Sequence, residues 1–415
     1  MNSKNLTMSE IRIKNFGPIK EGYLENNGWM DINKVTLFTG NQGSGKSTVT
    51  KTISILSWLE KSINRGDTKK EKISFAEFKE FFSYQKIQNY FSKDTFIGYK
   101  GERYNILYNP DYEYPDINEV NEGKYLVPKI MYIPAERNFF GAISNAFELQ
   151  GLPGNLFDFA VELKTAQKQL NGKKLRLPLK KYSYGYDENT DTSYILGKEH
   201  QINLLEASSG FQSLVPLFLV SRHLSNSIFK DEESQRKNLS VTQSIRMNKE
   251  ISDIMLNNKI ELLNKNDEID KIRTRYYNKC FLNIVEEPEL NLYPSSQWEI
   301  LKSLLEYNNL DEGNKLLMTT HSPFLINYLT IAVKANSLKG IIEAEDLKDK
   351  LNKIVPLDST INQNDLTIYE LDEIDGTIKK LQTYNGLPSD ENQLNERLGE
   401  SNELFAQLLE IQQKL

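Results

Sequence analysis

Gly40-Asn41-Gln42-Gly43-Ser44-Gly45-Lys46-Ser47 is the stretch that decides the fold. It matches the phosphate-binding loop pattern Gly-x-x-x-x-Gly-Lys-Ser at every fixed position. Its glycines let backbone N–H groups curl around an anion, because they tolerate angles that a side chain forbids. Lys46 can reach terminal phosphates, and the Ser47 hydroxyl can sit on a magnesium ion. The flanks agree. Val35–Thr39 reads as a short buried strand, and Val49, Ile53, Leu56 and Leu59 recur at helical spacing beyond the loop. Strand, glycine loop and helix N-terminus form the arrangement that holds phosphate. Gly40 through Ser47, with Thr48 at the start of the helix, are expected to bind a nucleoside triphosphate.

Length and composition narrow the rest. A chain of 415 residues, 39% apolar and 26% charged, has enough material for a lobed globular protein with a real core. No uncharged run is long enough to span a bilayer, and the N-terminus lacks the apolar segment of a signal peptide. A cytoplasmic protein is expected. The single cysteine, Cys280, precludes an internal disulfide and reads as a core residue. A net charge of -6 argues against a wholly basic nucleic-acid footprint. The three histidines are too scattered for a histidine-rich metal site.

Along the chain, Glu10–Phe16 reads as a first strand, followed by a Gly17-Pro18 turn and a second strand near 22–25. Lys129–Ile133 is another apolar strand, closed by Pro134. Between Ser225 and Tyr276 there is no Pro and no Gly, and Val241, Ile245, Ile251, Ile254 and Met255 fall roughly at helical spacing. That stretch is expected to form one or two exposed helices. In the tail, Asp375-Gly376 predicts a hairpin between Thr367–Leu371 and Thr377–Leu381. A closing helix places Leu404, Leu408, Ile411 and Leu415 on one seam, expected to dock on the chain's own core.

A phosphate loop alone does not say what happens to the nucleotide. Asn283-Ile284-Val285-Glu286-Glu287-Pro288-Glu289 narrows the choice. An apolar strand that ends in two adjacent carboxylates suits one acid near magnesium, Glu286, and one near the attacking water, Glu287. Neighbouring residues on a strand point to opposite sides, so the chain must turn there. Leu316-Leu317-Met318-Thr319-Thr320-His321-Ser322-Pro323 is a second strand with a polar tip, whose His321 can donate a hydrogen bond to a terminal phosphate. Ala207-Ser208-Ser209-Gly210-Phe211-Gln212-Ser213 precedes a helix, where small residues expose N–H donors at the positive dipole end.

These four elements, in this order, resemble the ATP-binding-cassette type of ATPase. Ser208-Ser209-Gly210-Phe211-Gln212 looks like a divergent form of that class's signature motif. The wording of Glu286-Glu287-Pro288-Glu289, of Thr319-Thr320-His321-Ser322-Pro323 and of Ile11-Arg12-Ile13-Lys14-Asn15-Phe16-Gly17-Pro18-Ile19 points to the OLD, RecF and SMC-like branch. The resemblance implies an α/β fold with a RecA-like core, an antiparallel β subdomain, a helical lobe and a short helical insertion. It implies a head over 1–340, with a first lobe to about 137, a helical signature region to about 224, an insertion over about 225–276 and a second lobe to 340. Residues 341–415 are expected as an extension.

The same resemblance implies ATP and Mg2+ as cofactors, with a homodimer in which Ser208, Ser209, Gly210 and Gln212 of one copy reach the nucleotide held by the other. In the class a glutamine at the switch loop acts on magnesium and water. Here Tyr132-Ile133-Pro134-Ala135-Glu136-Arg137 offers Glu136 or Arg137 instead, and Glu136 is taken as a metal-side residue. The tail after His321 is under 100 residues and lacks an Asp-x-Asp cluster, so a chain without its own nuclease is expected. That form resembles the ATPase subunits of bacterial anti-phage systems such as PARIS, Septu and abortive-infection pairs, in which a second protein carries the toxic activity. The alternative is a RecF-like, DNA-clamping repair ATPase. Lys173, Lys174, Arg176, Lys180 and Lys181 form its one dense basic cluster, otherwise a solvated flank. A transporter ATPase subunit fits the carboxylate motif less well.

Overall fold

The computed structural model describes residues 9–112, 114–120, 125–143, 151–179, 181–229, 232–237, 239–257 and 261–413. The chain opens with β1 (Ser9–Phe16), β2 (Gly22–Tyr23), β3 (Met30–Ile32) and β4 (Val35–Gly40). Helices α1 (Lys46–Asn64) and α2 (Phe75–Phe81) follow, then β5 (Phe91–Lys100), β6 (Tyr104–Tyr108), β7 (Asp116–Glu119) and β8 (Pro128–Ile133). Next come α3 (Phe139–Ala142), α4 (Gly154–Gln169), β9 (Lys174–Arg176), β10 (Ser183–Asp187), β11 (Thr192–Leu196) and β12 (Gln201–Asn203). The long α5 (Ser209–Ser227) leads to α6 (Glu232–Lys237), α7 (Val241–Leu256) and α8 (Leu262–Tyr276). β13 (Cys280–Glu286), α9 (Pro294–Asn308), β14 (Lys315–Thr320), α10 (Pro323–Lys339) and α11 (Glu345–Ile354) follow. Last come β15 (Leu366–Leu371), β16 (Thr377–Lys380) and α12 (Gln393–Gln412).

The main sheet has the order β2-β16-β15-β4-β14-β13-β8. Strands β15, β4, β14, β13 and β8 run parallel. Parallel strands buried on both faces read as continuous apolar runs, and β4 and β13 are buried at every position. Alternate residues of each strand then feed two separate cores. Val35, Leu37, Phe281, Val285, Leu316 and Met318 face α4, α5, α9 and α10. Phe38, Leu282, Ile284, Leu317, Tyr369 and Leu371 face α1 and the antiparallel sheet β3-β1-β5-β6-β7. A further sheet, β12-β11-β10-β9, lies beside the α4–α5 core. The result is a mixed α/β fold with a phosphate-loop core, an antiparallel subdomain and a helical lobe.

Two sequence expectations change. The tail reads in sequence as an extension after residue 340, yet β15 lies inside the main sheet, directly beside the phosphate-loop strand β4. Its all-but-continuous burial is what a central strand needs. The seam of α12 does not dock on the core as its spacing suggests. Leu404, Leu408 and Ile411 are 61%, 62% and 58% exposed. Leu415 lies outside the described residues. Helical spacing reports an apolar face and not what covers it. In α7, Met247 is buried and Ile251 and Ile254 pack with it against Ile272 and Tyr276 of α8, whereas Val241, Ile245 and Met255 stay exposed.

Candidate functional site

Three neighbouring parallel strands end at one place. β4 runs into the glycine loop, β13 into Glu286-Glu287, and β14 into Thr320-His321, and β14 pairs with both of the others. In open α/β sheets, ligands bind outside these carboxyl ends.

The glycine loop adopts the backbone that its glycines permit. Gly40, Gly43 and Gly45 have φ of 145°, 79° and 99°. A Cβ on Gly40 would meet the Leu371 carbonyl at 2.3 Å, and one on Gly45 would meet Ile19 at 2.4 Å. Gly45 is the N-cap of α1 and offers no capping side chain. The first-turn N–H groups of Lys46, Ser47 and Thr48 therefore stay free of a side-chain cap. Lys46 is buried, and its Nζ donates to the carbonyls of Gly40 (2.9 Å) and Asn41 (2.8 Å). Burial brings its pKa down to about 8, opposed by the charges of Glu287, Glu289, Glu373 and Glu286. Asn41, Gln42 and Gly43 are exposed at the tip, while Ser44 is buried and Ser47 partly so. Asn41 Nδ2 donates to Glu373 in the β15–β16 turn (2.8 Å), so the tail reaches the loop as well.

The acidic turn resolves the parity problem in the sequence. Glu286 shares its strand face with Leu282 and Ile284, toward α1. Glu287 would point the other way in an extended chain. It has φ of +42°, in the left-handed region, and its N–H donates to the Thr319 carbonyl at 3.0 Å. Non-glycine residues seldom adopt that conformation, and it collects at functional sites. Glu286 Oε2 accepts from the Ala135 N–H (3.2 Å), while its Oε1 is buried with no hydrogen-bond partner. Ser44 Oγ, Thr39 Oγ1 and Glu289 Oε2 share that condition. Buried polar atoms rarely go unsatisfied, so four of them here mark a place built for polar ligands.

Glu287 Oε1 lies 3.6 Å from His321 Nε2. Burial, then the neighbouring Glu286 charge, raise the Glu287 pKa above the ordinary glutamate range. Burial and the Lys46 charge lower that of His321, against an opposing hydrogen bond to the Gly40 backbone. His321 is therefore held toward its neutral form. Glu289, which follows the two acids in the sequence, ties the two strand ends together. Its Oε1 accepts from Thr320 Oγ1 (2.7 Å) and from the His321 N–H (2.8 Å).

Glu136 is exposed in the short turn Ala135–Asn138, close enough to Glu287 to perturb it. Its neighbour Arg137 is wholly buried and serves as an internal strut, a role that its sequence position alone does not disclose. Ser208 and Ser209 are exposed at the start of α5, where Ser208 caps without a side-chain hydrogen bond. Gly210 abuts the Asn291 carbonyl, which a Cβ would meet at 3.0 Å. Gln212 turns inward, donating to the carbonyls of Leu204 and Leu205 (3.3 and 3.0 Å). Among the described residues no cluster of three or more His, Cys, Asp or Glu is poised to hold a metal, and no helix is long and apolar enough to cross a membrane.

No protein-family model and no curated protein matches the chain. Solved structures with a similar course include an SMC head bound to the C-winged helix domain of ScpA, at 10% identity and TM-score 0.37, covering 91% of this chain and 98% of that one. The SMC head domain from Thermotoga maritima stands at 10% identity and TM-score 0.37, covering 91% and 99%. An SMC head with an extended coiled coil, bound to the C-terminal domain of ScpA and derived from Pyrococcus furiosus, stands at 9% and 0.36, covering 97% and 99%.

Proposed function

We propose that this chain binds ATP with magnesium and hydrolyses it between two copies of itself, and that this cycle gates a separate effector protein in anti-phage defence. The observation that carries the chemistry is the convergence of Lys46, Glu286, Glu287 and His321 at the ends of β4, β13 and β14, among buried polar atoms that lack partners. The residues fit magnesium held mainly by phosphate oxygens and water, since such sites use only one or two carboxylates. Ser47 and Glu286 would hold the ion, with Glu136 at its outer edge. When bound, it neutralises charge on the phosphate oxygens. Lys46 exchanges its loop carbonyls for the β- and γ-phosphates. Glu287 accepts a proton from water as the water oxygen bonds to the γ-phosphorus and the bond to the ADP oxygen breaks. His321, neutral, donates a hydrogen bond to the γ-phosphate. The products are ADP and phosphate.

In this reading Ser208, Ser209 and Gly210 complete the site of the opposite copy. The exposure of Ser208 and Ser209 at an uncapped helix start supports that role, whereas Gln212 donates to the Leu204 and Leu205 carbonyls of its own chain. The test is Mg2+-dependent ATP hydrolysis by the purified protein, together with its mass in solution. Glu287→Gln with ATP should run as a dimer without turnover; a monomer at saturating ATP would end the two-copy reading. For defence, cells carrying the gene with its neighbouring reading frame should resist phage, and Lys46→Ala should abolish resistance. Equal plating on both would remove that role.

One feature supports a DNA-clamping reading. The edge strand β9 exposes Lys174 and Arg176, and Lys173 and Lys181 are exposed beside it. Lys180 lies outside the described residues. If DNA binds there, affinity should fall steeply with salt, and reversing these charges should abolish it.

A further inference from the structure

Arg137 leaves the turn after β8 and is 0% exposed. Its four hydrogen bonds all go to backbone carbonyls. Nη1 donates to Pro134 (3.2 Å) and to Glu286 (2.6 Å), Nη2 to Glu287 (2.6 Å), and Nε to Ser213 (3.2 Å). One guanidinium thus joins the switch-loop turn, the acidic turn and the first part of α5.

The geometry is specific. Consecutive carbonyls of an extended strand point in opposite directions. Glu286 and Glu287 present theirs to one planar fork only because Glu287 has turned to φ +42°. Arginine is the side chain whose rigid, planar set of donors can hold two adjacent oxygens and still reach a third element. Its charge is buried, which lowers its pKa to about 10 and leaves it protonated at neutral pH, facing Glu289, Glu287, Glu286 and Glu136. A second tie reinforces the joint. Asn291 Nδ2, just beyond the acidic turn, donates to Ser213 Oγ at 3.0 Å. Ser213 lies one helical turn from Ser209, and a Cβ on Gly141 would strike Gln212 at 2.7 Å, so the start of α5 is closely held.

We propose that Arg137 is a positioning residue that couples the exposed start of α5 to the Glu286-Glu287 turn, so that engagement of Ser208–Gly210 by the nucleotide of a second copy sets the carboxylate of Glu287. The proposal rests on the two-copy ATPase reading above. It gives the chain a way to stay idle as a single copy even with nucleotide bound.

The test is a cycle of Arg137→Lys and Ser209→Ala, alone and combined, with nucleotide affinity, kcat and melting temperature measured for each. Lysine keeps the buried charge but lacks the planar fork that reaches the Pro134, Glu286, Glu287 and Ser213 carbonyls together. The relay predicts that Arg137→Lys leaves ATP affinity within about threefold and lowers kcat on the order of 10²-fold, as a misplaced catalytic group does. Adding Ser209→Ala to the Arg137→Lys variant should then cost nothing more. Wild-type kcat in Arg137→Lys, affinity and kcat falling together, or multiplying effects in the double variant would each overturn it.

A second measurement leaves Arg137 intact. Hydrogen exchange at Glu286–Leu290 should slow with ATP in the wild type but not in Ser209→Arg, and equal slowing in both would also overturn the relay. Wild-type turnover, measured alongside, separates the two readings. Its absence defeats the proposed function, whereas turnover that is indifferent to Arg137 defeats only the relay.

Discussion

Two helix starts in this molecule have the same local design and opposite surroundings. α1 and α5 each begin at a small residue that makes no side-chain cap, leaving N–H groups directed outward. At α1 the base of the loop, Ser44 to Lys46, is buried and Gly40 and Gly45 lie against β15 and Ile19, with polar atoms around them that lack partners, although the tip at Asn41–Gly43 is exposed. At α5 the first residues, Ser208 and Ser209, are exposed. The helices also pack against opposite faces of the main sheet. A buried anion cradle has much to gain from a ligand in its own chain. An exposed one has little, since water already serves its donors. The difference is what the proposed two-copy site requires, in which one chain supplies the pocket and another supplies the lid.

The strongest challenge to this contrast is Glu287→Gln. Losing the proposed base should lower kcat about 10²- to 10⁴-fold while nucleotide binding persists, as measured by phosphate release and by a fluorescent ATP analogue. Lys46→Ala comes next. Loss of hydrogen bonds to a charged group costs about 1.5–3 kcal/mol, so affinity should fall roughly 10- to 150-fold in the same binding assay. Ser209→Arg addresses the other helix start. ATP affinity per chain should hold while turnover drops at least about tenfold and the Glu287→Gln dimer no longer forms by light scattering; unchanged dimerisation would mean that α5 is not the lid.

The smallest effect is on pH. Glu287 has a raised pKa, so its carboxylate is lost on acidification earlier than an ordinary glutamate would be. His321, with a lowered pKa, stays neutral further down. The acid limb of kcat/KM, which reports the free enzyme, should therefore have its midpoint above the ordinary glutamate value of about 4.3, and a midpoint at or below it would remove Glu287 as the base.

Much of this is legible in the chain because it depends on nearest neighbours. The glycine pattern at 40–45 demands positive φ, and all three glycines have it. The mostly apolar runs before Glu286 and before His321 are short enough for strands, and parallel strands covered on both faces are buried nearly throughout, as these are. Arg137 is harder. Its position offers a polar residue at the switch loop, but its partners are carbonyls 76 and about 150 residues away, and backbone atoms leave no signature in a sequence. The seam of α12 misleads for a related reason. Leu404, Leu408 and Ile411 do form an apolar face, but the main body of this chain does not cover it.

The order of amino acids was enough to locate the phosphate loop, the strands that lead to it, and the acids and the histidine that follow, because each is written in a few adjacent residues with strong local preferences. It took the folded chain to reveal that the tail strand completes the central sheet, that Glu289 ties the two strand ends together, and that Arg137 holds the turn at Glu287. Those depend on long-range hydrogen bonds and on sheet order, which are set by how distant segments share one core.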